Sequence, residues 1–168
     1  LVKEAVEELK HIPKETQQEI EIEIPMTAYI PKDYIMRDDS KLESYRSIAD
    51  IKNNKDLERI QQTWLDRYGP VPEEATNLLK IAHLKLAAQS LGIQKIIAKK
   101  IPGFGKAEWN IHLRPLVLRP SQRVRTLRLY EGSLYKEDKQ ELILKISEIR
   151  EASQEITDYL KGLEPLPK

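Results

Sequence analysis

The chain has 168 residues, of which 40% are hydrophobic, 33% charged and 6% aromatic. This length suits a single domain whose core needs no disulfide or metal for support. Cysteine is absent, which excludes disulfides, thiolate metal sites and cysteine nucleophiles and fits a reducing compartment. No run approaches the roughly 20 apolar residues that span a bilayer, so we expect no membrane partner and no signal peptide.

The net charge of +1 is the average of a strongly uneven distribution. Residues 1–36 carry a net charge of −4, residues 37–92 are neutral and residues 131–168 carry −3. Residues 93–130 contain nine basic residues and one acidic residue, a net of +8. The average argues against a polyanionic partner, but this basic segment keeps that possibility open.

The first elements are predicted from periodicity and breakers. Apolar residues at helical spacing predict a short helix over residues 2–9, and the polar residues 10–18 are typical of a linker. Isoleucine and glutamate then alternate over residues 19–24, which predicts an edge strand that ends at Pro25. The following segment, with two prolines and no clean period, is predicted to be an ordered loop.

Three helices are predicted next. The first should open at a capping box of Ser40 and Glu43, and its apolar stripe is Leu42, Tyr45, Ile48 and Ala49. The second should begin near Asn54 and stop at Gly69.

The third helix should start beside Pro72 and run to Leu91, before Gly92. Its apolar residues cover more than one face, so we expect the other helices to pack around it.

The pattern changes at residue 93. Strands are predicted for the stretch from residue 93 to 100, for Trp109 to Leu113 and for residues 141–146, and a final amphipathic helix for residues 147–162. Residues 114–135 are ambiguous: a short strand at PLVLRP and a helix capped by Ser121 are both compatible with them. We predict an α+β fold, in which an N-terminal three-helix cluster packs with a small, mostly antiparallel sheet and a C-terminal helix.

No set of residues indicates catalysis. Residues 102–106 (PGFGK) lack the length and the hydroxyl residue of a phosphate loop, and they are better explained as a hairpin turn. His11, His83 and His112 show no metal-ligand spacing, and no serine sits in a nucleophile elbow. We therefore expect no enzyme activity, no cofactor and no metal in this domain.

The basic segment has two interpretations. It is either a surface that contacts nucleic acid or an acidic protein, or a set of charges spread over two faces and neutralised by acidic elements elsewhere. Few aromatic residues interleave with the charges, which favours the second interpretation. The basic residues are Lys95, Lys99, Lys100, Lys106, Arg114, Arg119, Arg123, Arg125 and Arg128.

Residues 64–69 (WLDRYG) also have two interpretations. Asp66 and Arg67 are either an ordinary solvated pair or part of a charged patch that contacts another protein. Taken alone, the residue types favour the solvated pair.

Residues 19–97 closely resemble the C-terminal domain of bacterial transcription-repair coupling factor (Mfd), the TRCF domain. The matching pieces occur in the same order as in that family. They are Ala28–Tyr29–Ile30–Pro31, Asp33–Tyr34–Ile35, Leu42–x–x–Tyr45–Arg46–x–Ile48–Ala49, Asp66–Arg67–Tyr68–Gly69–Pro70 and Leu91–Gly92–Ile93. Residues 1–18 look like the end of a preceding motor module with its linker, so we assign residues 19–168 to the TRCF-type domain.

The resemblance implies a role in a larger protein. Family members are ATP-driven DNA translocases in the bacterial cytoplasm, which displace stalled RNA polymerase and recruit excision-repair proteins. The ATP and magnesium sites lie in motor modules outside this domain. The C-terminal domain itself is implied to be a non-catalytic, autoinhibitory clamp, monomeric in isolation, which docks on the N-terminal UvrB-like module and masks its UvrA-binding surface.

The family contact maps onto a few residues of this chain. The Asp-Arg-aromatic-Gly segment lies at the docking contact, which implies interface roles for Asp66, Arg67 and Tyr68. An acidic residue often precedes this motif where Thr63 stands here, so one charged contact is lost or replaced. The alternative hypothesis is an accessory nucleic-acid-binding module that uses residues 93–130.

Overall fold

The structure, a computed structural model, describes residues 19–163. The predicted helix at 2–9, the linker and the boundary at residue 18 lie outside these residues. The α-helices are α1 (Asp38–Ala49), α2 (Asn54–Tyr68), α3 (Glu73–Ser90), α4 (Pro120–Leu129) and α5 (Ala152–Leu163). The strands are β1 (Glu21–Glu23), β2 (Lys95–Lys100), β3 (Trp109–Arg114), β4 (Leu134–Lys136) and β5 (Glu141–Ile146), and a 3-10 turn (Ile149–Glu151) precedes α5.

The five strands form one sheet in the order β1-β2-β3-β5-β4. β1 runs parallel to β2, and every other pair is antiparallel. The register sets Ile96 of β2 opposite Leu113 of β3, which in turn lies opposite Leu142 of β5. Two positions further along the strands, Ala98, Ile111 and Leu144 form a second row. Because side chains alternate between the faces of a sheet, both rows lie on the same, apolar face.

The main core lies on that apolar face, where α3 and α5 pack. Leu84 and Ala88 of α3 and Ile156 and Leu160 of α5 form one buried cluster with the strand side chains. Leu144 at the centre of β5 is fully buried within it. Burying a leucine or isoleucine side chain is worth roughly 1.5–3 kcal/mol, so this face supplies much of the stability.

A second, smaller core lies between the helices at the N-terminal side. It consists of Ile30 and Ile35 from the loop before α1, Trp64 from α2, and Ala75 and Leu79 from α3. α3 therefore contributes its first half to the helical core and its second half to the sheet core. This confirms the prediction that α3 is the element around which the others pack.

Most element boundaries follow the local signals. The side chain of Asn53 accepts a hydrogen bond from the amide of Asp56 and caps α2. Gly69 ends α2 with φ at +86°, and Pro72 is the N-cap of α3. The α+β prediction, with three helices and a mostly antiparallel sheet, is confirmed.

The predicted start of α1 is wrong. The helix begins at Asp38 with Arg37 as N-cap and no side-chain cap hydrogen bond, so the capping box at Ser40 is absent. Asp39 binds the Arg37 guanidinium at 2.9 Å and also accepts from the amide of Ser40. The predicted stripe is also mostly uncovered, because no α1 residue is buried and Leu42 is 53% exposed.

For residues 114–135 the helix option is confirmed by α4, and the strand option at PLVLRP is wrong. The predicted cap is also wrong, because α4 begins at Pro120 with Arg119, rather than Ser121, as N-cap. The carboxamide of Gln122 accepts from the amide of Arg119 at 2.7 Å and supports this start. The edge strand β4, which local pattern did not predict, pairs Tyr135 with Leu142 of β5.

Candidate protein-docking site

The last turns of α2 present the two charged residues of the motif. Asp66 and Arg67 are both exposed and form no ion pair with each other, since consecutive helical residues point apart. The Asp66 carboxylate instead accepts a hydrogen bond from the Gln62 amide at 2.9 Å. Within residues 19–163 the Arg67 guanidinium has no ion-pair partner, so it is free to meet a carboxylate from another protein.

A shallow groove of about 150 Å³ runs between α1 and α2 beside these residues. Arg59, Thr63 and Arg67 of α2 recur every four positions and therefore share the helix face that lines the groove. The complete lining is Ser40, Glu43, Ser44, Ser47, Arg59, Ile60, Thr63, Trp64, Arg67 and Tyr68. The groove thus joins three of the predicted site residues, Thr63, Arg67 and Tyr68, to a polar stripe of α1, and Asp66 is the one that does not line it.

Sequence reasoning did not single out that α1 stripe. Its serines donate back to their own helix, from Ser44 to the carbonyl of Ser40 at 2.9 Å and from Ser47 to that of Glu43 at 3.0 Å. The signal was the helical spacing of Ser40, Ser44 and Ser47 on an otherwise charged helix. These small side chains keep the groove open beside Arg59 and Arg67.

Tyr68 has a different environment from Asp66 and Arg67. It is half-buried, and its ring meets that of Tyr34 edge-on, with centroids 5.6 Å apart. Tyr34 also packs edge-on against Trp64, with ring centroids 6.4 Å apart. Burial raises the pKa of the Tyr34 hydroxyl. Tyr68 therefore anchors the end of α2 to the core while its charged neighbours face outward.

The structure distributes the nine basic residues over several surfaces. Lys95 and Lys99 share one face of β2 with Arg114 across the register, whereas Lys100 alternates to the opposite face. Lys106 lies in the β2–β3 turn, which confirms the hairpin interpretation of residues 102–106. The remaining arginines belong to α4 and its N-cap: Arg119, Arg123, Arg125 and Arg128.

Carboxylates from distant parts of the chain neutralise four of these basic residues. The pairs are Lys95–Glu21 at 3.6 Å, Lys106–Glu148 at 2.8 Å, Arg114–Glu141 at 3.3 Å and Arg123–Glu137 at 3.4 Å. The Lys106 ammonium lowers the pKa of Glu148 through a hydrogen bond and its charge. For these four residues the arrangement agrees with internal neutralisation.

Residues 19–163 contain neither a metal-binding cluster nor a membrane-spanning helix. No group of three or more histidine, cysteine or acidic side chains is arranged there to hold a metal ion. His83 and His112 lie on separate elements, α3 and β3, and His11 is outside the described range. None of the helices in this range is long and apolar enough to cross a membrane.

These features define a small α+β domain with a polar groove and exposed charges on its helical side. A family model described as the TRCF domain matches residues 24–112, slightly more than half of the 168 residues. The chain therefore belongs to the TRCF domain family, as the motifs around Tyr34 and Asp66 indicate.

Individual relatives agree with this assignment. The chain is 32% identical over 122 residues to the transcription-repair-coupling factor of Mycobacterium tuberculosis, an alignment that covers 73% of this chain. It is 35% identical over 100 residues to the protein of that name from Escherichia coli, covering 60% of this chain. In both cases it spans only 9% of the relative's length.

A solved structure supports the fold. The chain is similar to the crystal structure of a C-terminal domain of transcription-repair coupling factor, with a TM-score of 0.66 and 18% sequence identity. The superposition covers 88% of this chain and 95% of that domain. The architecture therefore extends beyond residue 112, through β5 and α5.

Proposed function

We propose that this chain is the regulatory C-terminal domain of a bacterial transcription-repair coupling factor. In this proposal it docks on the N-terminal UvrB-like module of the same protein and masks the UvrA-binding surface of that module. The parent would be an ATP-driven DNA translocase that also engages RNA polymerase and DNA. The domain itself would contribute no catalytic step and hold neither ATP nor magnesium.

The observation that carries the proposal is the exposure of Asp66 and Arg67 at the end of a firmly anchored helix. Tyr34, Trp64 and Tyr68 fix the last turn of α2 through edge-on ring contacts, so the backbone that carries both charges is held in one position. A segment whose backbone is already ordered binds at a lower entropic cost than a mobile one. The rigid end of α2 is therefore suited to pairing with charged residues of another module.

The polar character of the site suits a contact that must open. Most of the residues that line the groove beside Arg67 are polar: three serines, Thr63, two arginines and a glutamate. Ile60, Trp64 and Tyr68 complete the lining. Interfaces between domains of one chain are typically more polar than permanent ones, and their charged groups set specificity and association rate. A docking contact of this kind holds the clamp closed and remains releasable.

Charge reversal tests the assignment directly. We expect Asp66→Lys combined with Arg67→Glu to weaken binding to the isolated UvrB-like module from the same organism by at least tenfold. The double reversal leaves the net charge unchanged. Asp138→Lys with Lys139→Glu is a matched control, because it reverses an adjacent, exposed acid–base pair in the β4–β5 turn.

In the full-length protein the same D66K/R67E pair should increase UvrA binding, because the masked surface becomes accessible. Unchanged affinity for the UvrB-like module in calorimetry would contradict the site assignment. Lost affinity for the UvrB-like module with no increase in UvrA binding would contradict the proposed masking of the UvrA-binding surface.

The alternative, a nucleic-acid-binding module, receives less support. Four of the nine basic residues have carboxylate partners, and the other five are divided between β2 and α4 with its N-cap. A phosphate-binding surface needs several unpaired cations on one face and shows a steep dependence on salt. Titration of the chain with duplex DNA at low salt tests this alternative.

A further inference from the structure

A cavity of about 260 Å³ opens between α4 and α5. The two helices are joined beside it by the hydroxyl pair of Thr126 and Tyr159, 2.6 Å apart, and by the Gln122 amide, which donates to the Leu163 carbonyl across 3.4 Å. All four of these residues line the cavity. Its volume is below the roughly 300–1,000 Å³ typical of small-molecule sites, so it suits one inserted side chain better than a cofactor.

Each helix presents a single face to the cavity. The lining positions on either helix are three or four residues apart, which places them on one side of that helix. They include Gln122, Thr126 and Leu129 on α4, and Glu155, Tyr159 and Gly162 on α5. The side chains that surround the cavity are therefore neighbours in space, although they come from two elements.

Two tyrosine rings form part of the cavity wall. Tyr130, the C-cap of α4, and Tyr159 of α5 meet edge-on, with ring centroids 5.5 Å apart. Tyr159 is buried, whereas Tyr130 is half-buried. The face of an aromatic ring is electron-rich and attracts a cation that lies within about 6 Å of its centroid. The exposed part of the Tyr130 ring is therefore suited to a positively charged group.

An unpaired carboxylate adjoins the Tyr130 ring. Glu155 is half-buried, accepts a hydrogen bond from Tyr130 and has no ion-pair partner within residues 19–163. Burial raises the pKa of Glu155, and no lysine or arginine in the described part of the chain lowers it. Asp158, three positions further along α5, also lines the cavity, and one of its oxygens accepts from Gln154 at 3.0 Å. Together the two carboxylates form an acidic end of the cavity.

Arg125 also lines the cavity but does not neutralise this acidic end. It forms no ion pair with either carboxylate in residues 19–163. Burial raises the pKa of Tyr159, and the charge of Arg125 opposes that rise. At Tyr130, burial and the negative charges of the two carboxylates raise the pKa to about 12. One guanidinium against two carboxylates therefore leaves an excess negative charge, which is felt at Tyr130.

We propose that the cavity between α4 and α5 binds an arginine side chain of a partner protein. The guanidinium lies on the Tyr130 ring and donates to the carboxylates of Glu155 and Asp158, while its aliphatic stem packs along Leu129 and Gly162. Arginine suits this site better than lysine, because its planar fork carries five N–H donors, stacks on aromatic rings and is less strongly hydrated than an ammonium group.

The sequence argues that this arginine belongs to another polypeptide. Residues 1–18 and 164–168, which lie outside the described range, contain lysine but no arginine. Among the arginines between residues 19 and 163, Arg125 lines the cavity as part of its wall and the others do not line it. An arginine that fills the cavity therefore comes from outside these 168 residues.

This site goes beyond the proposed docking of Asp66 and Arg67 and does not depend on it. α4 and α5 are different elements, and they lie outside residues 24–112, which the family model matches. The D66K/R67E pair should therefore leave binding at the cavity unchanged. Failure of one proposal leaves the other intact.

The first probe is the arginine side chain itself, in the blocked tripeptide acetyl-Gly-Arg-Gly-amide. Amide NMR signals of the isotope-labelled, 168-residue chain are followed as the tripeptide is added. We expect saturable shifts centred on Tyr130, Glu155 and Gly162, with a Kd in the millimolar range that suits a single side chain. The citrulline tripeptide, which keeps the shape without the charge, should cause none. Absence of saturable shifts at these residues, or equal shifts with citrulline, would overturn the proposal.

Variants then locate the bound cation. Glu155→Gln removes the charge, keeps the shape and should weaken the Kd at least fivefold. The matched control, Glu58→Gln, makes the same change in net charge at an exposed position of α2 and should leave the Kd unchanged. Tyr130→Leu should weaken binding by a similar factor, because the ring face is lost. Unchanged affinity in E155Q, shown to be folded by circular dichroism, would refute the site.

Three comparisons exclude other occupants. If the lysine tripeptide binds as tightly as the arginine tripeptide, the site does not select a guanidinium and the proposal is wrong. If ethylguanidinium, the side-chain fragment alone, binds at least tenfold more tightly than the tripeptide, the cavity is a site for a small cation and the proposal is wrong. If the chain is a dimer in sedimentation and E155Q makes it a monomer, the occupant is a second copy, which also overturns the proposal. A monomer that prefers the arginine tripeptide agrees with an arginine of a partner protein.

Discussion

The hydroxyl of Tyr34 donates a hydrogen bond to the carbonyl oxygen of Gly69 across 2.9 Å. The same hydroxyl lies 3.2 Å from the carbonyl oxygen of Trp64, also at the end of α2. The ordered loop before α1 thus holds the last turn of α2, and with it Asp66 and Arg67. Tyr34, which lies 35 positions before Gly69 in the sequence, therefore helps to fix the position of the candidate docking charges.

Removal of this hydroxyl should loosen the end of α2 without creating a cavity. Tyr34→Phe keeps the ring contacts with Trp64 and Tyr68 and deletes only the hydrogen bond. We expect a loss of about 1 kcal/mol in the free energy of unfolding, typical of one partly buried hydrogen bond. Urea unfolding measures it, and a midpoint equal to wild type would show that solvent replaces the bond at no cost.

Gly69 adopts a backbone conformation that L-residues avoid. Its φ is +86° and its ψ is −163°, and a Cβ added there would meet no atom within 4 Å, so any penalty is conformational. Gly69→Ala should cost about 1–3 kcal/mol, the usual cost of a glycine-only conformation.

Gly162 provides the matched control for that substitution. It lies in α5 without a positive φ, and a Cβ there also meets no atom within 4 Å. Gly162→Ala should stabilise the domain by roughly 0.5–1 kcal/mol, because alanine favours helices. Equal effects of the two substitutions in thermal unfolding would contradict the backbone argument.

Thr126 and Tyr159 form a buried hydroxyl pair between α4 and α5, 2.6 Å apart. Thr126 donates to the carbonyl of Gln122 at 2.7 Å, so Tyr159 must be the donor within the pair. Thr126→Val leaves a buried donor without its acceptor and should cost about 1–3 kcal/mol, whereas Tyr159→Phe should cost about 1 kcal/mol.

The double variant tests whether the two hydroxyls act as a unit. T126V/Y159F should cost less than the sum of the single substitutions, because both partners of one bond are then absent. Strict additivity in a denaturant double-mutant cycle would show that the pair is not coupled.

His83 should make stability depend on pH. Burial lowers the pKa of His83 below its usual 6.5, Lys161 of α5 lowers it further, and Asp158 opposes both. The unfolded chain then binds this proton more tightly than the folded chain, so its contribution to stability is complete above pH 6.5. That contribution is lost as the pH falls through the lowered pKa.

His83→Leu should flatten this part of the stability profile. The Nε2 atom of His83 is buried without a hydrogen-bond partner in the described part of the chain, so its removal leaves no new unpaired group. Urea unfolding at several values between pH 8 and pH 5 gives the slope. The same slope in wild type and H83L would assign the acid sensitivity to another group.

Much of the architecture could be predicted because it depends on local chemistry. Asn53 and Gly69 delimit α2 through a side-chain cap and a positive φ, which are both properties of single residues. The alternation around Ile22 and Ile111 identified strand faces, since the period of two is intrinsic to an extended chain. The exposed positions of Asp66 and Arg67 followed in the same way from their place on α2.

Errors arose where a competing local residue or a neighbouring element decides the outcome. The capping box predicted at Ser40 does not form. The Asp39 carboxylate instead binds the guanidinium of Arg37, the N-cap, and the helix starts two residues earlier, at Asp38. β4 has three residues and exists through its pairing with β5, so no local period announces it. The apolar stripe of α1 predicted burial, but the core beneath it is small and leaves Leu42 exposed.

The sequence by itself determined the helix ends, the two faces of the strands and the concentration of basic residues between positions 93 and 130. Only the tertiary structure decided what those charges do. Lys106 pairs with Glu148 and Arg114 with Glu141, while Arg125 and Arg128 have no ion-pair partner among residues 19–163. The physical reason is that an ion pair depends on the distance between two side chains in space, which the spacing of charges along a chain does not contain.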